Sequence, residues 1–126
     1  MSLRSTAEHE AAHAVVARHY RVPVHEVWVD PRTLAGRTEC AKTSLQQTAV
    51  ILAAGDLWCR ELSALPYEDR ACSDLRRFER DHGFQQLWHV EREARRILTQ
   101  HREAVLGFAA RLVREQHIVL TRSRAA

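Results

Sequence analysis

The sequence predicts a mainly α-helical, compact single domain carrying one small β-hairpin. Capping-box spacings at Ser5–Glu8 and Ser44–Gln47 each open a long stretch suited to a helix. One short block of nearly alternating β-branched residues, Val24–Val29, supplies the strand signal. Apolar residues then recur at intervals of three and four from Val90 to Leu112. A chain of 126 residues suits one domain, expected over 1–126 with its core at about 6–120, and leaves no room for a second folded unit of ordinary size.

The elements follow in order. Ser5-Thr6-Ala7-Glu8 places a helix start near Thr6, and Pro23 stops that helix at about Tyr20. VPVHEVWVD reads as a strand, Asp30-Pro31 starts a turn through Gly36, and RTECAK returns as the second strand. The Val24–Val29 strand is expected either at a sheet edge that pairs an extended peptide or in a purely structural hairpin. Ser44-Leu45-Gln46-Gln47 opens SLQQTAVILAAGDLWCRELSAL, a helix apolar enough for the centre of the core, which Pro66 ends. After the loop PYEDRA, CSDLRRFERDH is helical in composition, with Gly83 as its C-terminal cap. From Phe84 to His117 the stripe Val90, Ala94, Ile97, Leu98, His101, Val105, Phe108 and Leu112 predicts one long helix, or two broken near Gly107. Trp28 and Trp58 are expected in the core, and the terminal TRSRAA is expected to fray.

Composition narrows the function. Hydrophobic residues at 45% and charged residues at 28% describe a soluble globular protein, and no run of about 18 apolar residues is present to span a bilayer. MSLRSTAEHE lacks the apolar centre of a secretory signal, so the expected compartment is the cytoplasm. Cys40, Cys59 and Cys72 are widely spaced without a C-x-x-C pair, which predicts reduced thiols. The net charge of +3 rests on arginine, Lys42 being the sole lysine, and the arginines alternate with glutamate as in VEREARRILTQHREAV. A nucleic-acid stripe would cluster its charge among exposed aromatics, so no nucleic-acid partner is expected.

The chemistry concentrates in AEHEAAHAVVARHY. His9-Glu10-Ala11-Ala12-His13 has the form H-E-x-x-H on a capped helix, where residues four apart lie one above the other and can aim two imidazoles at one point. That geometry suits two ligands of a tetrahedral Zn²⁺, with Glu10 placed to act as general base on a metal-activated water that attacks a peptide carbonyl. Composition alone would produce such a motif in roughly 4% of chains like this one, so context has to decide. A solvated helix face is the alternative reading. A catalytic zinc needs a third protein ligand with one position left open. Asp56, Glu61, Asp74, His25 and His82 are the candidates, and composition does not choose among them. His19, His82, His89, His101 and His117 stand outside any motif and are expected at the surface or core edge.

TAEHEAAHAVVARHY followed by PVHEVWVDPR resembles the start of the zinc peptidase domain of the FtsH family, the membrane-anchored ATP-dependent proteases of bacteria, mitochondria and chloroplasts. The family motif HEAGHA reads HEAAHA here. VILAAGDLWCREL is similar to the family's apolar helix containing GGRAAEEL, ACSDLRRFER to its SNDLERAT segment, and ARRILTQHREAVLGFAARLVREQHIVL to its closing helices. The resemblance covers about residues 6 to 120. It implies a helical zinc metalloendopeptidase in which His9 and His13 bind zinc, Glu10 is catalytic, and Asp74 is the third ligand. It also implies a protein or peptide substrate.

The chain departs from the family pattern in several places. Ala12 replaces a glycine, which a helix tolerates well. Gly55 and Glu61 are kept, but Asp56, Trp58 and Arg60 stand where the family has small or acidic residues. The interval from His13 to Asp74 is short for the family and implies a trimmed loop after the hairpin. The sequence has no G-x-x-x-x-G-K-[ST] phosphate loop, so unfolding of a folded substrate is expected to need a separate ATPase partner. The family's hexamers form largely through the ATPase ring, which leaves a homo-oligomer here open. From another class, the competing expectation is a catalytically silent helical interaction module that keeps the fold.

Overall fold

A computed structural model describes residues 2–67 and 72–121. The described chain is mainly helical, with helices α1 (Leu3–His19), α2 (Leu45–Leu57), α3 (Cys72–His82), α4 (Leu87–Gln100) and α5 (Arg102–Glu115). Strands β1 (Val24–Val29), β2 (Gly36–Cys40) and β3 (His117–Val119) form an antiparallel sheet in the order β2-β1-β3. The expected fold class is therefore present, with one strand more than the hairpin. The loop expected in PYEDRA and the frayed end expected in TRSRAA fall largely on 68–71 and 122–126, outside the described residues.

Helix α1 is the hub, packing on α2, α5 and both hairpin strands. Ala7, Ala11, Ala12, Ala14 and Ala17 are fully buried, and their small side chains let neighbouring elements approach its axis closely. The helix starts a turn earlier than the capping box predicts. Ser2 is the cap, its hydroxyl accepting the Ser5 N–H at 3.1 Å. Glu8, the expected partner of Ser5, is buried and accepts from Trp58 Nε1–H at 2.7 Å, the Ser63 hydroxyl at 2.7 Å and Arg4 Nε–H at 3.0 Å. Those bonds outcompete a local one to the backbone.

Helix α2 starts as its sequence predicts, with Ser44 Oγ accepting from Gln47 N–H at 3.2 Å, and it is buried from Ala49 to Leu57. It runs on as a π-helical turn, Trp58–Leu62, closed by Ser63 N–H to Trp58 O at 2.8 Å. That wider turn places the fully buried Trp58 indole onto Glu8. Gly83, at φ 75°, ends α3 and donates to Phe78 O and Glu79 O, as expected of a C-terminal glycine. A 3-10 turn at Phe84–Gln86 leads into α4.

Three further points differ from what the sequence predicts. The break in the last helical region falls at His101, not Gly107. His101 leaves helical geometry and sets its Nε2 3.0 Å from His19 Nδ1 at the end of α1, whereas Gly107 continues α5 with open space where a side chain would be. Of the two readings of Val24–Val29, the edge strand is the one overturned: β3 pairs with β1 through Val27↔Ile118 and Trp28↔His117. Gln116, left-handed at φ 65°, turns the chain from α5 into β3. The open edge beside the cleft belongs to β2. Trp58 lies in the core as expected, but Trp28 is only half-buried and lines that cleft. Cys40 is a free thiol, and Cys59 Sγ lies 4.0 Å from Ser5 O. No helix among the described residues is long and apolar enough to cross a membrane.

Candidate metal centre

One turn of α1 brings His9 and His13 together, their rings T-shaped with centroids 4.8 Å apart. Their Nε2 atoms are separated by 3.2 Å. Asp74, in the first turn of α3, completes a triangle: its Oδ2 lies 3.1 Å from His9 Nε2 and 3.4 Å from His13 Nε2. A tetrahedron with metal–ligand bonds of about 2.0–2.1 Å has edges of about 3.3 Å, so these three atoms match one face of such a polyhedron. His9, His13 and Asp74 can thus hold a metal ion, and they form such a group among the described residues.

Helix α2 orients the imidazoles. His13 Nδ1–H donates to Ile51 O at 2.6 Å, which leaves Nε2 as the lone-pair nitrogen facing the centre. Gly55 comes so close that an added Cβ would stand 2.6 Å from His13 Nε2 and 2.7 Å from His9 Nε2. No side chain fits there without moving the ligands.

The electrostatics favour a cation. Burial works against a charged His13, but the bond to Asp74 and the charges of Glu10 and Asp74 outweigh it and raise its pKa to about 9. Burial likewise works against the Asp74 carboxylate, yet hydrogen bonds from His13 and His9 hold it far below the usual carboxylate range. Without metal, a proton sits where the ligand atoms converge.

Glu10 stands beside this triangle, 7% exposed, and opens onto the same cleft of about 900 Å³ between α1, α2, α3 and β2. The Thr38 hydroxyl on β2 lies 2.8 Å from Glu10 Oε1 and 3.1 Å from Glu10 O. Gly36, on the same strand, makes room: a Cβ there would meet Glu10 Cγ at 2.8 Å.

The other third-ligand candidates stand outside the triangle. Buried Asp56 accepts from Arg60 at 2.6 Å and Tyr67 at 2.8 Å. Glu61 accepts from Arg60 and Arg95 on the surface, where the side-chain bond from Arg95 lowers its pKa. His25 lines the cleft but bonds Thr121 Oγ1 at 2.7 Å, and the His82 ring packs beside Phe78. Thr38, Gly36 and the Ile51 carbonyl carry no signal in the sequence, because each acts through a contact between distant segments. No protein-family model matches the chain, and no curated protein matches it.

Proposed function

We propose that the chain is a zinc-dependent metalloendopeptidase that hydrolyses peptide bonds in unfolded or flexible protein segments. The observation that carries this reading is the His9–His13–Asp74 triangle with Glu10 beside it in one cleft. Two imidazoles and one carboxylate are a donor set that zinc accepts, and three protein ligands leave a coordination position open. The resemblance of HEAAHA and SDL to the FtsH peptidase pattern supports the same assignment of roles.

Zinc bound there would polarise the scissile carbonyl and acidify the attacking water. Glu10 takes the proton that water loses and returns it to the departing amine, so its carboxylate has to reach both positions in turn. The Ile51 carbonyl keeps the His13 ring fixed throughout. A cleft of about 900 Å³ takes an extended segment of chain and excludes a folded domain. Folded targets therefore require a separate unfolding partner.

The test uses a reduced, alkylated and permanently unfolded protein as substrate. The zinc-loaded parent should cleave it, and Glu10→Gln should keep its zinc while losing hydrolysis by at least about 100-fold. Cleavage by Glu10→Gln at the parent rate removes Glu10 as general base. A parent that holds zinc and cleaves nothing is a silent interaction module.

A further inference from the structure

We infer that Thr38 is the positioning residue for Glu10, an assignment that rests on the proposed peptidase reading and adds a residue to it. Thr38 pairs with Val27, and Gly36 with Val29, across the hairpin. Because both valines are buried, Thr38 and Gly36 share the sheet face that packs on α1. This face is a mould for one side chain. Gly36 leaves the space that the Glu10 stem occupies, with Glu10 Cγ and Oε2 at 2.8 Å and 3.1 Å from where its Cβ would be. The Thr38 hydroxyl then donates to Oε1 at 2.8 Å.

A glutamate side chain has three rotatable bonds, and a general base loses rate when its carboxylate samples unproductive rotamers. Committing Oε1 to Thr38 fixes the carboxylate plane and leaves Oε2 to take and return the proton. Glu10 O, at 3.1 Å, is a second acceptor for the same hydroxyl proton and lies farther from Thr38 Oγ1 than Oε1 does. A second α1-to-hairpin bond, Thr6 Oγ1–H to Leu34 O at 2.9 Å, holds the helix and the strand in register one turn away. The Thr6 bond does not involve Thr38 and remains when the Thr38 hydroxyl is removed, so that removal reads the effect of the hydroxyl on Glu10.

Thr38→Val keeps the shape and deletes the hydroxyl, and Thr38→Ser restores it. Each is to be compared with the parent by zinc content, by kcat and KM on the unfolded protein substrate, and by the crystal structure of the zinc-loaded protein. The expected result is full zinc in all three, a kcat lowered about 10- to 100-fold in Thr38→Val at unchanged KM, and recovery to within about threefold in Thr38→Ser. In the crystal structures, the Glu10 carboxylate should hold one conformer in the parent and Thr38→Ser and spread over several in Thr38→Val. A Glu10 carboxylate that stays ordered in Thr38→Val, or a kcat that does not fall, overturns the role of Thr38. Should the parent cleave nothing while Glu10 still loses its single conformer in Thr38→Val, the peptidase reading fails and the positioning contact stands.

Discussion

Asp74, His13 and Gly55 each make a separate contribution to the candidate metal centre. Asp74 brings negative charge to two imidazoles, so Asp74→Ala should weaken zinc binding by about 100-fold or more, measured by competition with a chromogenic chelator. Gly55→Ala forces an atom to within 2.6–2.7 Å of both ligand nitrogens, and zinc affinity should fall at least about tenfold while far-ultraviolet circular dichroism stays that of the parent. Unchanged affinity in Gly55→Ala would show that α2 can back away from α1. His13 gives the pH dependence its sign. Its metal-free pKa is raised to about 9, so below that value zinc has to displace a bound proton. Apparent zinc affinity should therefore fall about tenfold for each unit of pH below about 9, with about one proton released per zinc near neutrality. Zinc titrations at two pH values in weakly buffered solution check both, and a pH-independent affinity contradicts the assignment.

Among the elements, α1 was the most legible, because its information is local. His9, Glu10 and His13 lie within five residues on one helix, and 3.6-residue periodicity alone places both imidazoles on one side. Its start departs from the capping-box position because Glu8 is drawn into the core by Trp58, a residue fifty positions away, and capping rules see only neighbours. The same bond gives a test. Glu8→Ala leaves the buried Trp58 N–H without its acceptor and should cost about 3 kcal/mol in urea unfolding of the metal-free protein. A loss under about 1 kcal/mol would mean that Ser63 and the π-helical turn rearrange to cover it. β3 has no sequence signature because three residues, His117–Val119, are too few for a periodic signal. The break at His101 was hidden for another reason: the ring contact with His19 that marks it spans 82 residues.

At the scale of the whole molecule, the His9–His13–Asp74 group joins segments that packing alone connects weakly. Helix α3 packs on α2 and on the 3-10 turn that follows it, and it reaches α1 through Asp74. Zinc would thus tether α3 to the hub. Chelation should speed amide hydrogen exchange in α3 far more than in α1, and saturating zinc should raise the melting temperature, with about 4 kcal/mol available at a thousandfold excess over Kd. Equal exchange in α3 with and without zinc would show that the tether is absent. This long-range geometry is also why Asp74 could not be chosen from composition: Asp56 and Glu61 are equally good ligands on paper, and ion pairs to Arg60 and Arg95 withdraw them. Only the resemblance singled out the residue whose carboxylate the fold brings to both histidines.

The measurement that bears most directly on the central claim is zinc bound per chain at equilibrium dialysis, in the parent and Asp74→Ala side by side. The His9–His13–Asp74 centre predicts close to one zinc per parent chain and little in the variant. No zinc in the parent, or equal zinc in both, would contradict it.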